Sequence, residues 1–112
     1  MEILDGNYTL EDIQALSFKN VPRGIFKSGK SQIALDYHAG LLILRPGDIV
    51  QIRLYLRKPE INKSIYLMRG IVYKIAKNEF ECSFGGMLLL YKGDINENLM
   101  ENAEIFVSVA KV

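Results

Sequence analysis

The chain has 112 residues, nearly half of them apolar and about a quarter charged, which suits one soluble globular domain (1–112) and excludes both two separate cores and a disordered tail. Fourteen Lys and Arg against thirteen Asp and Glu give a net charge of +1, so no overall field favours nucleic acid or membrane. The distribution is less even. Between positions 53 and 77, Arg53, Arg57, Lys58, Lys63, Arg69, Lys74 and Lys77 face only Glu60, while both ends of the sequence are acidic.

The first twenty residues carry mixed signals. Thr9 and Asp12 resemble a capping box, and Leu10, Ile13 and Leu16 have partial helical spacing. Ile13, Ala15 and Phe18 fit a strand instead, and a strand is expected because everything downstream reads as β. Val21 to Lys30, with Pro22, Gly24 and Gly29, reads as turns around a short hairpin or loop.

Ser31 to Tyr37 alternates Ile33 and Leu35 with Gln32 and Asp36, a strand pattern. Leu41 to Leu44 is a short apolar run that ends at Arg45-Pro46-Gly47-Asp48, a β-turn sequence. The cleanest strand follows, with Val50, Ile52, Leu54 and Leu56 on a core face and Gln51, Arg53, Tyr55 and Arg57 on the other. Lys58 to Ser64 is a linker.

From Tyr66 to Asp94 three apolar runs follow one another with hardly any room for loops. Tyr73 and Ile75 alternate with Lys74, Phe80 and Phe84 with Glu81 and Ser83, and Met87 to Tyr91 is apolar throughout. Gly85-Gly86 breaks the last two runs, which implies a bend that closes a barrel or a place where another backbone comes close. Ile95 to Asn102 reads as one helical turn or an irregular loop. Glu104 to Val112 is a terminal strand with Ile105, Val107 and Val109 on one face.

There are no sequence repeats. Seven or eight short strands with tight turns make an all-β domain, a small antiparallel barrel or a small sandwich, and the barrel is expected since closure hides the edges a small sheet would expose.

Residues able to do chemistry are sparse. Cys82 has no disulfide partner and alternates with Phe80 and Phe84, the pattern of a buried small hydrophobe. His38 stands without a constellation at metal spacing. Asp36 and Asp48 could pair as carboxylates, but Asp48 follows a Pro-Gly turn and is expected to satisfy turn backbone. Gly85-Gly86 lacks the following helix that a phosphate-binding glycine loop needs. No catalytic residue, cofactor site or metal site is expected.

The acidic N-terminal stretch without a long apolar core resembles neither a signal peptide nor a transit peptide, and a cytoplasmic protein is expected. The one candidate binding strip is Arg53, Tyr55 and Arg57, an aromatic between two guanidinium groups, with Tyr66 and Lys74 expected on a neighbouring strand. Small barrels bind single-stranded nucleic acid with such strips, and the ordinary alternative is an exposed β face.

A resemblance adds to this reading. Tyr66, Leu67, Met68, Gly70, Val72 and Tyr73, followed after a short gap by Ser83, Phe84, Gly85, Gly86, Met87, Leu88 and Gly93, resemble the second half of the eighth common subunit of eukaryotic RNA polymerases. Leu35, Asp36, Gly47 and Asp48 extend the similarity, which covers roughly residues 33 to 112. The short KPEINKS segment stands where eukaryotic members carry a long acidic insertion, so the chain is similar to the compact archaeal form of that family.

The resemblance implies an OB-like barrel without catalytic residues, docked on the outside of DNA-directed RNA polymerase against its largest subunit. Ser83, Phe84, Gly85, Gly86 and Met87 would contact that partner, with Arg53, Tyr55 and Arg57 facing an acidic surface or nucleic acid. The rival reading is a free-standing single-strand-binding barrel.

Overall fold

In a computed structural model, which describes residues 2–15, 19–60 and 65–112, eight strands form a closed antiparallel barrel. They are β1 (Glu2–Gln14), β2 (Arg23–Ser28), β3 (Ser31–Asp36), β4 (Ile49–Tyr55), β5 (Tyr66–Ala76), β6 (Glu79–Phe84), β7 (Met87–Lys92) and β8 (Glu104–Lys111). The order around the barrel is β1-β2-β3-β7-β6-β5-β8-β4, so no sheet edge is left open. Leu16 of the partial helical spacing, Phe18 of the expected first strand and 61–64 of the expected linker lie outside the described residues.

Period-two patterning builds the core. Tyr8 and Leu10 of β1, Val50, Ile52 and Leu54 of β4, Phe80, Cys82 and Phe84 of β6, and Ile105, Val107 and Val109 of β8 point inward and are buried. Leu56, expected on the same face, lies just beyond β4 and is half-buried.

The expectation for residues 21–30 is corrected: Arg23–Ser28 is a full strand, paired with β1 and β3. Its glycines and lone proline masked it, although Gly24 faces inward between the Phe26 ring and Leu10. Leu41 to Leu44 is not a strand. It alternates exposed Leu41 and Ile43 with buried Leu42 and Leu44 in the β3–β4 connection. Residues 95–102 form an irregular connection with two turns and no helix.

The ring order conceals an internal two-fold. β4-β1-β2-β3 and β8-β5-β6-β7 are each a Greek key, and they meet at two seams, β3–β7 and β4–β8. The registers correspond residue by residue. Gly6 pairs with Ile52 and Thr9 with Ile49, as Met68 pairs with Val107 and Ile71 with Glu104.

Both long strands carry a bulge at the matching place, after Leu10 in β1 and after Val72 in β5. The connections also end alike. Leu10 exchanges backbone hydrogen bonds with Asp48 and Gly47, and Val72 does so with Ala103 and Asn102. Gly47 and Asn102 share a positive φ, 97° and 68°.

The pseudo-axis crosses the seams at Ala34–Leu90 and Arg53–Ser108. No repeat is visible in the sequence because the halves fill the interior differently. Tyr8 of β1 reaches over the first half's hairpin to Ser31, its hydroxyl 2.7 Å from Ser31 Oγ. In the second half the matching position is Gly70, and the bulk comes from Phe84 across the ladder.

Candidate interaction surfaces

β4 does hold Arg53 and Tyr55 on its outer face, but its neighbours are β1 and β8. Arg53 lies in register between Asp5 and Ser108. Its Nε is 3.4 Å from Asp5 Oδ1 and 3.6 Å from Glu2 Oε1, a charge contact rather than a formed hydrogen bond. Gln51 Nε2 donates to the same Asp5 oxygen at 2.9 Å. The acidic N-terminal strand therefore pairs with the strip at Arg53, while Arg57, beyond the strand, is exposed.

On the same outer face Phe106 and Ser108 of β8 are each 5% exposed, a burial that an alternating pattern does not announce. The expected neighbours need correction. β8 separates β4 from β5, so Tyr66 and Lys74 are not beside the strip. Tyr66 packs against the core, where its hydroxyl accepts the His38 N–H at 3.0 Å and bonds the Met68 sulfur, while burial raises its pKa. Lys74 sits 3.5 Å from Glu81. Lys63, counted in the basic stretch, lies outside the described residues.

Ser83 to Met87 does not form one surface. Phe84 and Met87 turn inward, Ser83 faces out, and Gly85-Gly86 is the exposed tip of the two-residue β6–β7 hairpin. Their φ angles, 64° and 99°, are those of a type I′ turn. A Cβ at either glycine would meet nothing within 4 Å. Their role in the fold is thus a hairpin reversal that requires positive φ, not a bend within a strand. A groove of about 460 Å3 beside them is lined by Lys19, Val21, Gly85, Gly86 and Met87. On the other side, one of about 290 Å3 is lined by Arg69, Gly70, Ile71, Ser83, Gly85 and Glu104.

Gly70 is the glycine that allows close approach. A Cβ there would stand 2.2 Å from the Ser83 carbonyl oxygen and 2.5 Å from the Phe84 ring. The strand can lie over the ring only without a side chain. Next to it, Ile71 is 51% exposed and Tyr73, the bulged residue of β5, is 42% exposed.

The Tyr73 hydroxyl donates to Glu81 Oε1 at 2.6 Å. That bond pushes the phenol up to about 12 and holds the Glu81 carboxyl below its ordinary range. Sequence reasoning missed this pair as a surface, because a bulge shifts the alternation and the run IVYKI does not reveal one.

The other candidates are structural. Asp36, 3% exposed, accepts from Arg23 Nε at 2.7 Å, Arg23 Nη2 at 3.2 Å and the Leu88 N–H at 2.9 Å. Asp48 accepts the Arg45 N–H at 2.8 Å, which lowers its pKa, and sits 3.4 Å from Lys111 Nζ. Each aspartate thus has its own partners.

His38 Nδ1 accepts the Gly40 N–H at 3.1 Å. Cys82 is fully buried, and burial pushes its thiol up to about 12. Among the described residues no group of three His, Cys, Asp or Glu could hold a metal ion, and no helix is long and apolar enough to cross a membrane. No protein-family model matches the chain, and no curated protein matches it significantly.

Proposed function

We propose that the chain is a non-catalytic accessory subunit of a DNA-directed RNA polymerase, one that docks on the largest subunit and contributes to assembly or stability of the transcription complex. The observation that carries the reading is where the resembling residues fall. Tyr66 to Tyr73 and Ser83 to Leu88 all fall on one β5–β6–β7 meander, and its outer face exposes Ile71 and Tyr73 beside a side-chain-free turn. A rigid closed barrel with an exposed apolar strip suits docking, in which a few buried anchors supply most of the affinity.

The rival, a free-standing single-strand binder, rests on Arg53, Tyr55 and Arg57. It is weakened by the pairing of Arg53 with Asp5 and Glu2, which leaves fewer cations for phosphates. Affinity capture of the tagged protein from native lysate, with mass-spectrometric identification of bound chains, separates the two. The proposal expects the largest polymerase subunit in the captured material. Without that subunit, and with oligonucleotide affinity that falls steeply as salt is added, the rival holds instead.

A further inference from the structure

The internal two-fold provides a comparison inside one molecule. Outward-facing positions related by it have the same backbone environment, so a difference between their solvent-facing side chains is not something the barrel's backbone requires. Thr9 and Ile71 are related, being paired with Ile49 and Glu104 in matching registers, and so are the bulged residues Glu11 and Tyr73. Where the first half presents a threonine and a carboxylate to solvent, the second presents an isoleucine and a tyrosine, 51% and 42% exposed. The connections differ in the same sense. Arg45 and Met100 open equivalent turns, closed by the Asp48 and Ala103 N–H groups, and Met100 is 68% exposed.

We propose that the outer face of β5 around Ile71 and Tyr73 is the docking surface of this protein. Its occupant is an uncharged, apolar-anchored segment of the polymerase's largest subunit; this rests on the function proposed above. Charge selects the occupant. Arg69 is paired with Glu104 at 3.6 Å, Lys74 with Glu81 at 3.5 Å and Arg23 with Asp36 at 2.7 Å, and the Tyr73 hydroxyl is already bonded to Glu81. Among the described residues these three cations each have a counter-ion within this chain, and the Glu101 carboxylate at the same strand accepts the Ile75 N–H at 3.0 Å. A phosphate backbone or anionic lipid surface would have to compete with those counter-ions for the cations, whereas an apolar side chain seated on Ile71 and Tyr73 would not.

The geometry suits such an anchor. Leu88, Ser83 and Ile71 lie in one register row across β7, β6 and β5. The small Ser83 between two aliphatic side chains lines, with Ile71, the groove of about 290 Å3. Ladders on both sides of β5 hold the face rigid, so little is lost in ordering it on binding.

The first half shows which substitutions the fold tolerates, and the test uses them. Ile71→Thr is combined with Tyr73→Gln, glutamine being chosen because Glu81 stands beside the site. Leu41→Ser with Ile43→Ser, in the exposed β3–β4 connection, serves as the comparison. The three proteins are tagged and captured from native lysate, and the recovered largest subunit is quantified. Thermal melts confirm that each variant folds.

Recovery at least tenfold lower for the β5 variant, with the comparison variant close to wild type, is the expected result. Equal recovery from the β5 variant, or loss in the Leu41/Ile43 variant alone, overturns this docking surface and leaves the polymerase reading intact. No recovery with the wild type removes the polymerase reading and the occupant together. Light scattering that shows a wild-type dimer dissociated by the β5 variant would assign the face to a second copy of the chain, also against the proposal.

Discussion

Single residues in this barrel are constrained for different physical reasons, and substitutions separate them. At Gly70 the constraint is space. A Gly70→Ala methyl would overlap the Ser83 carbonyl and the Phe84 ring, and backbone cannot step aside as a flexible side chain would. The expected loss is about 3 kcal/mol, at the top of the overpacking range, read from urea denaturation.

At Cys82 the constraint is dryness. The thiol should resist alkylating reagents until the protein opens, because its pKa is pushed up to about 12 by burial. The unfolded thiol ionises from its ordinary value near 9 while the folded one stays protonated. The unfolded chain therefore binds fewer protons between these values, and stability falls as pH rises through that window. Wild type should lose more stability than Cys82→Ala over the same alkaline range, and parallel curves would refute the assignment.

Strands and turns respond differently. Asp36 joins three strands through one carboxylate, holding Arg23 of β2 and the Leu88 N–H of β7 from β3. Asp36→Ala strands a guanidinium and a backbone donor together, with an expected cost of about 3 kcal/mol since Arg23 can still reach water. Asp36→Asn should cost less, because it can still accept one bond.

In the β6–β7 turn the constraint is φ and not space. Gly86→Val should cost roughly 1–2 kcal/mol for a β-branched residue at positive φ, whereas Gly85→Asn should change stability by no more than about 0.5 kcal/mol. Equal losses at the two positions would show that something other than backbone conformation holds them. The period-two runs of β3, β4, β6 and β8 made those strands legible in the sequence, and Arg45-Pro46-Gly47-Asp48 announced its own turn. β2 was not legible, because its inward glycine and flanking turn residues carry a loop composition.

For the whole molecule, two Greek keys joined at two seams mean that the barrel closes through pairings far apart in the chain, such as Gln32 with Lys92 and Glu2 with Tyr55. Topologies of this kind fold in milliseconds to seconds, so stopped-flow refolding should be resolvable, with a microsecond phase contradicting the closed topology. The same arrangement divides the surface. β1 brings Glu2 and Asp5 to Arg53 of β4, while the half built from β5, β6 and β7 keeps the exposed apolar side chains Ile71 and Tyr73.

Local chemistry in the sequence determined an all-β chain, most of its strands and turns and the burial of Cys82, since alternation and turn residues act within a few positions. Tertiary structure alone decided the ring order, the separation of Tyr66 and Lys74 from Arg53, the acids that meet Arg53, and the outward aim of Ile71 and Tyr73. Each of those depends on strands distant in sequence or on a bulge that resets the alternation, and neither leaves a periodic trace.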